Sequence, residues 1–313
     1  MPASTPNAPA ESQEICGIGI DLGGTKIAAG LVSFPSGNIL AKEIVPTRPE
    51  RGGQAVLDDA IAVARNLRRR AGDLGKEVRG IGVGIAELVN LEGEITSEYL
   101  IKWCGLPAKQ ALSQVAPTQF ESDARAPAIA ESLLGAGKPF VNFIYLTVGT
   151  GISYCLMVEG KPYTGAHGHA ILVASGILTS ECEKCGTVQD QVLEEFAAGP
   201  GLVARYNRHA DTAVTTGEQV TSAAAAGDPI AQHIVQSAAD ALGNSVGFLV
   251  NILDPQAIVV GGGLGLAGGL YWDRFIHSTR RRIWSEVSRD LPIIPAKLGP
   301  DAGLIGAAAI VCK

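Results

Sequence analysis

Charge, aromatic rings and long apolar runs are all scarce in this 313-residue chain. Charged residues make up 18% and the net charge is -6, which leaves no basic footprint for nucleic acid or an anionic membrane. The two basic clusters, Arg68-Arg69-Arg70 and Arg280-Arg281-Arg282, fall inside predicted helices and read as solvated faces. No apolar run reaches membrane length without a polar residue or a glycine interrupting it. Residues 1–14 lack both the basic start and the apolar core of a secretory signal, so a disordered polar tail is expected. Six cysteines over this length make no disulfide framework, and Cys16 and Cys155 lie in buried-looking strands. A soluble protein of the reducing cytoplasm is therefore expected. The GxxxxGK[ST] phosphate loop is also missing.

What the chain has in abundance is glycine, 39 residues of it, set among small aliphatic side chains. That composition suits α/β layers with glycine-rich connections. Alternating and apolar runs predict strands over 15–21, 27–33, 39–45 and 79–86, with a helix over 56–71. Residues 88–103 read as irregular, followed by a short helix over 106–115 and a strand over 118–121. An alanine-rich helix then runs to Leu134, where Gly135 stops it. Beyond it the pattern gives strands over 141–148 and 152–159, and a loop over 165–186. Helices follow over 190–198, 217–226 and 229–253, the last opened by Asp228 and Pro229. A strand over 257–260, a helix over 270–287, a strand over 293–298 and a helix over 302–311 complete the chain.

Three glycine-rich turns each follow an apolar strand: Gly23-Gly24-Thr25, Gly149-Thr150-Gly151 and Gly261-Gly262-Gly263. Glycine leaves no Cβ in the way, so backbone N–H groups in such turns can close around phosphate. Asp21 ends the first strand, where a carboxylate can hold Mg²⁺ directly or through water. Taken alone, the first turn is also readable as an ordinary Gly-Gly hairpin. Three such turns, two of them carrying threonine, are better explained by one triphosphate held between two halves of a similar plan.

The wording Asp21-Leu22-Gly23-Gly24-Thr25-Lys26 resembles the first phosphate loop of the ROK family, which contains bacterial sugar kinases and transcriptional repressors. From Ile15 onward, the order and spacing of the motifs are similar to those of ROK kinases. The resemblance implies a two-domain, actin-like (ribonuclease H-like) α/β fold with an interdomain cleft. One domain would be residues 15–121 plus 299–313, and the other residues 122–298. It also implies ATP and Mg²⁺ as cofactors, with Asp21, Gly23, Gly24, Thr25, Lys26, Gly149, Thr150, Gly151, Gly261, Gly262 and Gly263 at the nucleotide. Glu121-Ser122-Asp123-Ala124-Arg125 stands in the place of the family pattern ENDAN, which makes Asp123 the implied catalytic base. Asp123 sits at a helix entry, where the dipole would keep it ionised or where it would serve as an N-cap.

Departures from the family pattern gather where a ROK kinase holds its sugar. The ENDAN asparagine is Ser122, and the SPN segment reads Ser97-Glu98-Tyr99. The GAxGxAGExGH stretch begins as Gly165-Ala166-His167-Gly168-His169-Ala170 but then places Leu172 and Ser175 at the glutamate and histidine positions. A later glutamate is kept as Glu194. Ser122, Asp123, His167, His169 and Glu194 are the candidate acceptor contacts. A small polyol is expected as substrate, either a monosaccharide or a sugar-like cyclitol with fewer hydroxyls to satisfy. The alternatives are a ROK repressor, disfavoured by the short polar stretch before Ile15, and a non-catalytic ligand sensor. Family members often form homodimers, and a homodimer is expected here.

ROK proteins commonly hold a structural zinc on one histidine and three cysteines. This chain offers Cys182 and Cys185, with Val192 near the third cysteine's place and Ser175 at the histidine's. Two thiolates alone do not close a tetrahedral site, which would need His167, His169 or His209 to complete it. Elemental analysis of purified protein is therefore expected to find less than one zinc per chain. Stoichiometric zinc on Cys182 and Cys185 would overturn this.

Overall fold

The structure is a computed structural model that describes residues 14–181, 185 and 188–312. Its first sheet is built from β1 (Ile15–Leu22), β2 (Lys26–Phe34), β3 (Asn38–Pro46), β4 (Val78–Ile85) and β5 (Thr118–Ser122), in the order β3-β2-β1-β4-β5. β1 and β2 form the antiparallel hairpin, whereas β1, β4 and β5 run parallel. Helix α1 (Gly53–Asp73) joins β3 to β4, and α2 (Ala108–Ser113) leads into β5. The apolar positions of α1, among them Val56, Leu57, Ala60 and Leu67, are buried against Ile18, Ile20, Ile81 and Val83.

After β5, α3 (Arg125–Leu134) leads to the second sheet. That sheet comprises β6 (Asn142–Val148), β7 (Ile152–Val158), the short β8 (Lys161–Pro162) and two later strands. A separate antiparallel ribbon, β9 (Ile177–Glu181) and β10 (Val188–Val192), comes next, followed by α4 (Leu193–Ala197), α5 (Gly199–Asn207), α6 (Gly217–Ala225) and α7 (Pro229–Leu253). Strand β11 (Ala257–Gly261), α8 (Gly269–Arg282), α9 (Glu286–Arg289), β12 (Ile293–Pro295) and α10 (Ala302–Val311) complete the order. The second sheet runs β12-β11-β6-β7-β8, again with a leading hairpin and parallel neighbours on its other side.

Glycine within the strands has a geometric purpose. In β1 and β4 it alternates with branched aliphatics, so one face is bulky and the other bare. The bulky face meets α1, and α10 lies on the bare one. A Cβ on Gly19 would fall 1.8 Å from the Leu304 carbonyl oxygen, and one on Gly82 would fall 1.8 Å from that of Ala307. The helix backbone therefore rests directly on the sheet. Residues 302–309 of α10 are all buried, as expected for a helix that is apolar all round.

Several elements differ from the sequence reading. Residues 165–186 are not wholly loop, since β9 lies within them. The helix expected over 190–198 begins only at Leu193, because residues 188–192 pair with β9. Helix α5 was not anticipated: Gly199-Pro200-Gly201 reads as a breaker, yet proline is tolerated in a first helical turn, where no N–H is required. The helix expected over 270–287 breaks at the extended Ile283, and Ser285 caps a new turn by accepting from the Ser288 N–H.

Gly82→Ala is expected to lower stability by about 1–3 kcal/mol or more, because backbone carbonyls cannot swing aside as a side chain could. Gly72→Ala, with nothing within 4 Å of its added Cβ, should leave stability unchanged or slightly raised. Urea midpoints for the two variants, compared with wild type, check this.

Candidate active site

Because β1, β4 and β5 are parallel, their carboxyl ends emerge on one edge of the sheet, where open α/β folds bind ligands. Asp21 is the penultimate residue of β1, and Asp123 directly follows β5. The Asp123 N–H donates to the Ile85 carbonyl at 3.0 Å, which fixes its backbone to the end of β4. Burial pushes the Asp123 carboxyl up to about 7. The charges of Asp21, Glu194 and Glu87 add to this, and the Ala124 N–H opposes it. Asp21 is raised by burial to about 6, with Lys26 opposing.

The expectation that the helix entry keeps Asp123 ionised is therefore corrected: burial and the charges of neighbouring carboxylates favour its protonated form. The N-cap position of α3 is Ala124, and no side chain caps the helix.

Glu87 is a site residue that the sequence reading missed. Its buried carboxylate accepts from the Ser97 hydroxyl and from the backbone N–H groups of Tyr99 (3.0 Å), Leu100 (2.6 Å) and Ile101 (2.7 Å). These bonds lower its carboxyl from the ordinary value despite burial. The loop that they gather presses on the first glycine turn, where a Cβ on Gly24 would fall 2.5 Å from the Leu100 side chain. The signal was there to find: a lone acidic residue after an apolar strand, ten residues before a serine.

The first turn is closed by Gly23 N–H to the Lys26 carbonyl (3.2 Å) and by the Thr47 hydroxyl to the Gly23 carbonyl (2.6 Å), leaving Thr25 and Lys26 exposed. In the second, the Gly149 N–H meets the Gly151 carbonyl (2.9 Å). The third docks onto it, with Leu264 and Gly265 both donating to the Val148 carbonyl at 3.0 Å. Gly149, Thr150 and Gly263 line a cleft of about 980 Å³ that also takes in Gly199, Thr216 and Gly217. That is the size range of a nucleotide-scale site. Helices α5 and α6 begin at its wall, the latter with a Thr216–Gln219 capping box.

The remaining turn glycines lie elsewhere. Gly261 packs on the Tyr145 ring, Gly262 takes a positive φ of 82° against Val148, and Gly151 abuts the Glu194 carboxylate. That carboxylate accepts from the Ile152 N–H at 2.7 Å, so Glu194 braces the second turn.

A smaller cavity, of about 70 Å³, has Ser122, Arg125, His169, Leu172 and Ser175 in its wall. His169 Nε2 lies 2.9 Å from the Thr96 hydroxyl. His167 is exposed and not part of the lining, and Tyr99, 81% exposed, is not part of it either. Cys182 lies outside the described residues. Among those described, no group of three or more His, Cys, Asp or Glu side chains is placed to hold a metal.

Two mixed sheets, each led by a hairpin and flanked by helices, define the α/β actin-like fold of sugar kinases. The chain belongs to the ROK family, whose model matches residues 17–313. It is 32% identical to a glucokinase of Streptomyces coelicolor, over 93% of this chain and 96% of that protein. Among solved structures, the ROK family glucokinase of Streptomyces griseus, in complex with glucose and AMPPNP, superimposes with a TM-score of 0.79. It is 29% identical, over 94% of this chain and 98% of that one. A ROK hexokinase of Thermus thermophilus gives 0.76 at 32% identity, covering 94% and 97%.

An unfolded aspartate titrates near ~4, so a folded value of about 7 means that ionisation of Asp123 opposes folding. Its contribution is most favourable below ~4, is lost as the pH rises to about 7, and then stays constant. Ligand-free Asp123→Asn should therefore melt above wild type at pH 8, and the gap should shrink toward pH 5. Melting curves across this range check it; a gap independent of pH would contradict the burial of this carboxylate.

Proposed function

We propose that this chain is an ATP-dependent kinase that transfers the γ-phosphate to a hydroxyl of a monosaccharide or a sugar-like cyclitol. The observation that carries the reading is the place of Asp123. It directly follows Ser122, which lines the smaller cavity, and it is held in an acidic, buried setting beside Asp21. A carboxylate titrating near neutrality is suited to accept a proton from an attacking hydroxyl. Kinship with a glucokinase, and with a glucokinase solved with glucose and AMPPNP, supports the class.

In this reading the N–H groups and hydroxyls of Gly23–Thr25 and Gly149–Gly151 position the phosphates, with Lys26 beside them. The cleft at α5 and α6 takes the nucleoside. Asp21 fits a magnesium ion, held directly or through water. It is an oxygen donor whose burial disfavours its bare charge, and only Lys26 opposes that burial. Magnesium bound with the nucleotide would neutralise charge on the transferring phosphoryl group. Residues 15–121 with 299–313 form one lobe and residues 122–298 the other, and closure between them excludes water. Ser122 and His169 orient the acceptor against a wall in which Leu172 and Ser175 replace stronger hydrogen-bonding groups. That wall favours an acceptor with fewer ring hydroxyls and an exocyclic hydroxymethyl group.

Asp123→Asn is expected to bind ATP as wild type does and to lose phosphoryl transfer by about 10²–10⁴-fold. Each acceptor hydroxyl left unpaired costs roughly 1–3 kcal/mol, so glucose should lag the best cyclitol by about a hundredfold in kcat/KM. ATP consumption over hexoses, N-acetylhexosamines, inositols and C7 cyclitols measures both. Near-wild-type turnover by the variant would remove Asp123 as base, and a win for glucose would refute the acceptor assignment.

A further inference from the structure

Arg125 has no part in the phosphate chemistry above, yet it is a buried cation in the wall of the acceptor cavity, two residues from Asp123. Its guanidinium is committed on three sides. Nε donates to Glu121, Nη1 to the Gly168 carbonyl at 2.5 Å, and Nη2 to the Val89 carbonyl at 3.1 Å. These carbonyls belong to two chain segments far apart in sequence, and the segments touch where the arginine reaches them. Gly168 takes a positive φ of 81°, and a Cβ there would fall 2.5 Å from the Val89 carbonyl oxygen and 2.8 Å from the Asn90 Cα. Thr96 and His169 join the same segments a second time. The first segment is stiffened internally by Glu87, which ties its start to residues 97–101, and by a bridge between Val89 and Ile95.

We propose that Arg125 is a positioning residue that fixes both acceptor-side loops, 88–101 and 165–172, to the start of α3, and so sets the acceptor wall's distance from Asp123. A planar guanidinium can hold three acceptors arranged around it, whereas an ammonium on a flexible stem is a point charge without that fork. Arg125 is the first residue of α3, so any shift of the helix start moves Asp123 and both loops together. Glu121, one turn earlier on the end of β5, orients the guanidinium from the sheet side.

The test has two arms, and only the second rests on the kinase reading. In hydrogen–deuterium exchange of the ligand-free protein, Arg125→Lys should raise exchange in 88–101 and 165–172 by about tenfold while leaving 199–226 unchanged. Unchanged exchange in those loops, or an equal rise everywhere, would overturn the proposal. In kinetics with D-glucose and the cyclitol panel, Arg125→Lys should raise acceptor KM by at least about tenfold with ATP KM within about twofold. A matched rise in both constants would overturn it, since a merely structural lesion spreads to both. Glu121→Gln, which keeps the guanidinium and removes its carboxylate, should shift both readouts in the same direction by less, and serves if Arg125→Lys does not fold. If wild type phosphorylates nothing in the panel, the kinase reading fails and the exchange arm alone decides the role of Arg125.

Discussion

The architecture depends on how closely α10 approaches the first sheet. Gly19 and Gly82 present no side chain, so the helix backbone lies against the strands at a distance that any Cβ would forbid. The same helix meets α3 with equal intimacy, since a Cβ on Gly306 would fall 1.7 Å from the Ala126 carbonyl oxygen. Gly303 stands against the Asp21 carboxylate in the same way. One helix thus sets three things together: the seat of the sheet, the backing of Asp21, and the start of the helix that follows Asp123. Close-packed interiors do not deform continuously, so such contacts fix relative positions rather than suggest them.

That rigidity permits an arrangement that would otherwise relax. Asp21 and Asp123 are both raised by burial, and the charge of Asp21 raises Asp123 further. Left free, such side chains would turn toward water. Glu87 shows the contrasting outcome: its side chain is buried too, yet four donors hold its carboxyl below its ordinary value. Carboxylates near one another therefore hold different protonation behaviour because of what donates to them, and only the poorly supplied ones are poised to exchange a proton near neutrality.

Much of this was legible in the sequence. Alternating glycine and aliphatic residues marked β1 and β4, and the cap at Asp228-Pro229 placed α7 within its observed bounds. The helix over 302–311 also fell where the apolar pattern put it. What escaped was set by partners distant in the chain. β10 is a strand because it pairs with β9, although its own residues carry no strong preference. Glu87 and Arg125 looked like ordinary charges because their acceptors and donors are mostly backbone groups, which no residue type announces. Tyr99 and His167 were expected at the acceptor and instead face solvent, since nothing in a motif's spacing says which way its loop side chains turn.

In the proposed site the two halves are built from different material, the glycine turns mainly from backbone and the acceptor wall from side chains. The glycine turns proposed to hold phosphate are made of backbone closed on backbone, Gly23 on Lys26 and Gly149 on Gly151. Crowding varies among them: a Cβ at Gly262 would fall 2.3 Å from the Val148 carbonyl oxygen, whereas Gly23, Gly149 and Gly263 have room for one. The wall of the smaller cavity is made of side chains: Ser122 at the end of β5, and Leu172 and Ser175 beyond Gly168, whose carbonyl Arg125 holds. Side chains facing a cavity can change while the backbone behind them stays fixed. The proposed change of acceptor on a retained phosphate frame is compatible with this division between side chains and backbone.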